Sequence, residues 1–347
     1  MRLRMLITAA VAAALAVASG GVALGQDASL IGPTRAALDI VLPYYPPSAR
    51  AAAMGRSTVA LEGVDSHNPA ALAFVKGYDV LLNYGRADFH HGPDLDIYNA
   101  QAVFPFPLIG GVGKLMGFAI DTRHEERSRM GGNDTKVSAY EFGLAYGAKI
   151  PIPEQLGQLG VGFAGYPYDP ARLTLTDPDG GGTVARARAI SQLGSIRLGA
   201  LYKPIEQVSF GLEYTHIKDS AWAKYTGIER RFSSNYHVNL WTVGLAFRPD
   251  QWTVITVQDI FGRATGQGVD MSYSVFSAGI ERQIPITETF GFALRAGVLE
   301  GDPTWGVGVN LPQGWRADYA FLPAYGEGVD KAFGHATFHM FSVGKSF

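Results

Sequence analysis

The chain has 347 residues, with 29 Lys and Arg against 31 Asp and Glu, a net charge of −2 that argues against a nucleic-acid partner. It holds no cysteine, which excludes disulfides, thiolate metal sites and cysteine nucleophiles. Glycine supplies 43 residues, aromatics 12% and charged residues only 17%, a balance too polar for a helical membrane protein but suited to strands with one face toward water or a lumen.

Arg2 and Arg4 precede an Ala/Leu/Val run from Met5 to Ala18, and Ala23-Leu24-Gly25 supplies small residues before Gln26. This reads as a signal peptide over residues 1–25, the small-residue exit favouring cleavage over an anchor helix. Residues 26–77 do not alternate. Pro43, Pro46 and Pro47 interrupt the start, and Ser48-Ala-Arg-Ala-Ala-Ala-Met-Gly55 reads as a small-residue turn or short helix. A short apolar run, Val59 to Val64, precedes Asp65-Ser-His-Asn-Pro-Ala-Ala-Leu-Ala73. A Pro-broken stretch of this size can sit inside a wide barrel, so 26–77 is predicted to be an N-terminal hatch.

From Tyr78 onward, fourteen segments alternate with a period of two, which predicts a barrel domain over 78–347. The connections alternate too. Tight, Pro-containing turns fall at 106–110, 151–154, 203–206, 248–250, 283–287 and 311–314. Longer, more charged connections fall at 90–94, 123–134, 168–183, 218–233 and 262–269. An even strand number with short turns on one side only is the pattern of a bacterial outer-membrane barrel. The predicted fold is all-β: a 14-stranded antiparallel transmembrane barrel with the hatch in its lumen.

Period two also assigns faces. Val208, Phe210, Leu212 and Tyr214 oppose Ser209, Gly211, Glu213 and Thr215; Trp305, Val307 and Val309 oppose Gly306, Gly308 and Asn310. One face is greasy and the other is mostly Gly, Ala and isolated charges, which leaves lumen space for something other than large side chains. The last segment, Phe333 to Phe347, places Val343 and Phe341 with the terminal aromatic, and Lys345 and His339 on that same face. An alternating segment ending on Phe is the closing strand expected of such a barrel.

The Ala-Arg-Ala-Ala-Ala-Met-Gly segment, the apolar run and Asp-x-x-Asn-Pro-Ala-x-Leu-Ala ahead of a barrel together resemble the FadL/TodX outer-membrane family and its PorV/PorQ-like relatives. The resemblance implies a monomer in the outer membrane of a Gram-negative-type bacterium, in contact with outer-membrane lipid and inserted by the barrel assembly machinery. It also implies that hydrophobic molecules pass the hatch and leave sideways through a gap in the wall, or, in PorV-like members, that the barrel serves protein secretion. Asn68, Pro69 and Ala70, with Arg50, are the hatch or gate residues it points to. The connections 168–183 and 218–233 are short and largely polar beside the capture loops of transport members. The resemblance implies a compound of the long-chain fatty acid or aromatic hydrocarbon type, while these loops put a high-capacity fatty-acid groove in doubt and fit a small substrate or no substrate better.

Charges predicted to face inward are Asp121, Arg123, Glu141, Arg197, Glu213, Asp259, Glu281, Arg295, Arg316 and Asp318. They either grip the hatch or simply pair across strands, and pairing is the plainer reading. His90-His91 and His124-Glu-Glu lack metal-ligand spacing. Gly180-Gly181-Gly182 precedes no helix and is a loop tip rather than a phosphate cradle. No nucleophile-elbow motif occurs. No enzyme activity, cofactor or metal is expected; a lipid-acting barrel enzyme is the weakest alternative.

Overall fold

The computed structural model describes residues 46–347 except 90–93, 107–109, 125–133, 177–182, 192–194, 226–227, 267–268 and 325–335. The predicted signal peptide, the hatch up to residue 45, His90-His91, Glu125-Glu126 and Gly180-Gly181-Gly182 lie outside the described residues, as do the side chains of Asp121, Arg123 and Glu141.

Fifteen strands form one sheet: β1 (Asp79–Phe89), β2 (Asp94–Pro105), β3 (Val112–His124), β4 (Asp134–Ile150), β5 (Gln158–Thr176), β6 (Thr183–Ser191), β7 (Ser195–Ile205), β8 (Val208–Tyr225), β9 (Ile228–Asp250), β10 (Thr253–Gly266), β11 (Val269–Pro285), β12 (Gly291–Leu299), β13 (Asp302–Asn310), β14 (Trp315–Leu322) and β15 (Ala336–Ser346). All pairings are antiparallel, and β15 pairs with β1, so the sheet closes on itself. The short β6 and β7 follow one another along a single position, both lying between β5 and β8. The wall therefore has fourteen positions. Closure pairs the first strand with the last, so neither presents an open edge for lipid to penalise. No helix among the described residues is long and apolar enough to cross a membrane.

The Pro-containing turns all fall at the end where β1 begins and β15 finishes. There β7 and β8 close at Ile205 and Val208, and β9 and β10 at Asp250 and Thr253. The opposite end is uneven: β9 runs for 23 residues, whereas β12 and β13 are nine each. The latter two are joined by Glu300 and Gly301, both with positive φ (53° and 99°), a pair that matches the right-handed strand twist. The predicted loops 168–183 and 218–233 are corrected by the structure. Strand β5 continues to Thr176 and returns as β6, while β8 continues to Tyr225 and returns as β9 from Ile228. Leu173 and Leu175 alternate with Thr174 and Thr176 in sequence, but the Asp, Pro, Lys and Gly residues around them make these stretches read as loops, while their backbone groups still pair across the hairpins.

Outward residues form a greasy belt. Leu82 is 56% exposed, Leu212 42% and Val307 51%, exposures tolerable only against lipid. Asp259 corrects another expectation: it lies on the outward face with Val257 and Phe261, while Thr256 and Gln258 are buried inward. Ile255, Val257 and Phe261 alternate with Thr256 and Gln258, and Asp259 is the polar exception on the apolar row.

Residues 46–77 lie inside the cylinder. Helix α1 (Ala49–Ala53) packs on β12, β13, β14 and β15, and a 3₁₀ helix (Pro69–Phe74) packs on β3, β4, β5 and β7, across the lumen. The inward glycines meet this segment's atoms at close range. An added Cβ at Gly279 or Gly297 would strike Met54 and Gly55, at Gly211 the carbonyl of Val59, at Gly199 the side chain of Asn68, and at Gly162 and Gly147 the backbone of Pro69. The lumen space that the small residues suggested is thus filled at this level by chain. Gly55 is needed twice over, since its φ is +64° and its own Cβ would strike the carbonyls of Val298 and Ala278. The Ala-rich motif now has a cause: Ala49, Ala51, Ala52 and Ala53 are fully buried against the wall, where larger side chains have no room.

Gly211→Val should force the inner segment off the wall, at a cost of about 1–3 kcal/mol or more for overpacking. In detergent, limited proteolysis within residues 46–77 should speed up, whereas Gly117→Ala, whose Cβ would meet only the Phe142 ring at 3.8 Å, should leave the rate unchanged.

Candidate functional site

The irregular inner segment cannot satisfy its own backbone, so the wall does it. Pro47 O accepts from Asn83 Nδ2 (3.0 Å) and Gln101 Nε2 (2.7 Å). The Ala49 amide donates to Ser342 Oγ at 2.7 Å. Thr304 Oγ1 donates to Ala53 O and accepts from the Gly55 amide. Gln258 Oε1 accepts from the amides of Thr58 and Val59, and Ser209 Oγ donates to Ala60 O.

The predicted turn Asn68-Pro69-Ala70 is attached to the wall through the Asn68 side chain. Asn68 caps the 3₁₀ helix, its Oδ1 accepting from the Ala70 amide at 3.0 Å, and Pro69 occupies the first helical position, where a missing N–H costs nothing. Its Nδ2 donates at 2.9 Å both to Val59 O, within the segment, and to Ala200 O of β7, with Leu212 O of β8 at 3.4 Å. One amide therefore ties the turn to itself and to two wall strands.

Arg50 lies elsewhere on the segment, in an ionic chain. Its guanidinium grips Glu281 of β11 with two bonds (2.8 and 2.9 Å) and reaches Asp65 at 3.3 Å. Arg316 of β14 reaches the same Asp65 oxygen and also Asp79 of β1, each at 3.3 Å. Arg295 of β12 pairs with Glu281, its register partner, and with Asp318 of β14 at 2.7 Å. Two glycines make the long reaches possible. Arg295 crosses Gly308 of β13 to meet Asp318, and Arg316 lies over Gly344 of β15 on its way to β1. Four carboxylates thus face three guanidiniums, with the Lys114 ammonium nearby on Val64 O at 2.9 Å. Both readings of the inward charges meet here, since cross-strand pairs and grips on the segment belong to one network.

The remaining predicted lumen residues lie apart from it. Arg197 of β7 reaches His67 Nδ1 at 3.2 Å, and Glu213 of β8 is buried and accepts from Thr215 Oγ1 at 3.1 Å. Glu62 of the segment pairs with Lys203 (2.7 Å) and Arg248 (3.4 Å). Sequence reasoning missed Asp65 and Asp79 as ionic partners. Asp65 stood in the Asp-x-x-Asn-Pro-Ala motif, but nothing local says that two arginines converge on it. No group of three metal-ligating side chains occurs among the described residues.

The barrel is similar in structure to several solved proteins. It aligns with a Pseudomonas aeruginosa FadL homologue at TM-score 0.56 and 10% identity, covering 87% of this chain and 98% of that one. The CymD monoaromatic hydrocarbon channel gives 0.55 at 13% identity, covering 87% and 98%. The Pseudomonas putida toluene transporter TodX gives 0.51 at 13%, covering 86% and 96%. No protein-family model and no curated protein matches the sequence. At such low identity the likeness is one of fold: a closed transmembrane barrel of the outer-membrane kind.

Burial alone would push the Asp65 carboxyl up, but Arg316 and Arg50 beside it, with a hydrogen bond from Ser48, hold it well below the usual carboxylate range. A depressed folded value means that the contribution is complete above about pH 4 and lost as pH falls further. Protease protection of residues 46–77 should be flat from neutrality to about pH 5 and fall in stronger acid. Asp65→Asn, which strands buried guanidinium charge, should cost about 3–5 kcal/mol and lower protection already at neutral pH.

Proposed function

We propose that this barrel passes small hydrophobic compounds passively across the outer membrane, with the Asn68–Ala70 turn as the element that moves. One observation carries the reading: the turn docks on the wall just below a bulge in β5. Gly162 of β5 and Gly199 of β7 press on Pro69 and Asn68. Three residues further along, β5 changes register against its neighbours: it pairs with β7 up to Gly165 and Ile196 and with β6 from Asp169 and Ser191, one residue out of step. On the other side, Leu144 pairs with Gly165 but Phe142 with Tyr168, so β5 bulges against β4 as well. Pro167, which has no N–H, falls within this stretch. Gly165 points outward and would meet nothing within 4 Å if given a Cβ. A bulge in the wall beside a movable turn supports a sideways exit for an apolar molecule that never has to cross the polar lumen.

The solved structures of like fold include a toluene transporter and a monoaromatic hydrocarbon channel, which supports a compact apolar substrate over a long acyl chain. The polar hairpins 168–183 and 218–233 agree with that choice. Substrate selection would then rest on the width beside the turn and the polarity around it.

Because the chain has no native cysteine, the gate can be stapled cleanly. In Asn68→Cys/Gly199→Cys protein reconstituted in liposomes, labelled toluene uptake should be near that of empty liposomes when oxidised and should recover on reduction. Uptake by wild-type protein no faster than by empty liposomes would favour a non-transporting scaffold of the PorV/PorQ type. Equal uptake by oxidised and reduced forms would place the path elsewhere in the wall.

A further inference from the structure

Between residues 46 and 77 the inner segment carries one phenylalanine, Phe74, and no tyrosine or tryptophan. Phe74 ends the 3₁₀ helix that starts at Pro69, so about two turns of helix connect its ring to the Asn68 cap. The ring lies over Gly160 of β5, where a Cβ would strike it. Gly160 pairs with Lys149 of β4 on one side and with Leu201 of β7 on the other, two residues from Lys203. Both lysines reach the ring: Lys149 Nζ lies 5.0 Å from its centroid and Lys203 Nζ 5.4 Å. An ammonium over an aromatic face within about 6 Å is attracted by the ring quadrupole.

Each ammonium is held in place by a second partner. Lys149 Nζ donates to Gln158 Oε1 at 3.0 Å, and Lys203 Nζ pairs with Glu62 at 2.7 Å. Gln158 belongs to β5, whereas Glu62 belongs to the inner segment and also meets Arg248 of β9 at 3.4 Å. The rest of the ring packs on the apolar cluster that includes Ala71 and Leu201. Any apolar side chain could supply that packing. Only an aromatic one also engages the two lysines, and those lysines come from the strands on either side of β5, the strand that bulges beside the turn.

We propose that Phe74 is the latch of the movable turn. Lys149 and Lys203 hold the far end of the 3₁₀ helix to the wall through its ring, while Asn68 holds the near end through its amide. The helix leaves the wall only when both ends let go, so the attraction between ring and ammoniums sets how often the turn opens. Phe74 is a positioning residue: it acts through residues 68–70 and needs no contact with a substrate. The latch deepens the transport reading and rests on it for its purpose, but the attachment itself is independent of what passes.

The test replaces Phe74 in the full chain by mono-, tri- and pentafluorinated phenylalanine, which keep the ring shape while draining its negative face. Hydrogen exchange of residues 68–75, which include the amide donors of Ala71 and Val75, is followed by mass spectrometry in detergent. Exchange should quicken stepwise along the series, to about fivefold with the pentafluoro ring. In a Lys149→Met background the series should be shallower, about twofold, and the same fluorinated residues at the outward Phe292 should change nothing. Heat-modified gel mobility checks that each variant is folded. Labelled toluene uptake into liposomes should rise in step with exchange. Faster exchange with unchanged uptake would uphold the latch and remove the turn as the gate. Exchange indifferent to fluorination, or equally sensitive with and without Lys149, would overturn the latch.

Discussion

A chain with little regular structure can be buried only where its backbone polar groups find partners. That constraint governs this barrel's interior. Residues 46–77 contain one short helix and one 3₁₀ helix; some of their other carbonyls and amides pair in turns within the segment, and several turn to the wall. Asn83, Gln101, Ser209, Gln258, Thr304 and Ser342 reach inward to meet them. Glycines sit where the segment's backbone comes closest, because polar partners are useful only if the two chains can approach to bonding distance. Lumen polarity and lumen glycine are therefore two sides of one requirement, and the greasy exterior answers a separate one set by lipid.

The ionic chain adds a different kind of attachment. Hydrogen bonds from the wall are spread around the circumference, whereas Arg50 and Asp65 concentrate charge on the β11–β14 and β1 side. Buried ion pairs are poor sources of net stability but are costly to break singly. Such a network fixes the register of the segment against the wall more than it deepens the energy of the folded state. On the opposite side, near β5 and β7, Asn68 holds the turn with neutral bonds alone. The ionic chain grips the segment on one side, while on the other the Asn68 amide, the Arg197–His67 contact and the Glu62–Lys203 pair hold it; movement is assigned to the turn because it adjoins the bulge in β5.

Much of the architecture could be read from the residues. Period two and the one-sided Pro turns gave the wall, its strand number and most of its facing, because lipid and lumen impose opposite demands on neighbouring residues. The reading failed where that contrast fades. In β10 Asp259 interrupts the apolar outward row of Ile255, Val257 and Phe261, so its polarity placed it inside; in 168–176 and 218–225 Pro, Asp and Lys residues obscure the alternation, so strands looked like loops. Asn68-Pro69-Ala70 was legible as a capped turn because the capping chemistry is local. Its hold on Ala200 was not, nor was the grip of Arg50 on Glu281, 231 positions away. Glycine after glycine on the inner face announced a close neighbour without saying that the neighbour was backbone.

The joints of the inner segment span both ends of the polypeptide. Pro47 is held by Asn83 and Gln101 from the first two strands, while the next contact, at Ala49, is to Ser342 in the final strand. The earliest part of the described chain therefore cannot complete its lodging until the latest part has docked beside β1. Maturation is ordered by topology: the leading stretch must wait, unsealed, for the whole ring, and sealing the ring and seating the occupant become one concerted event.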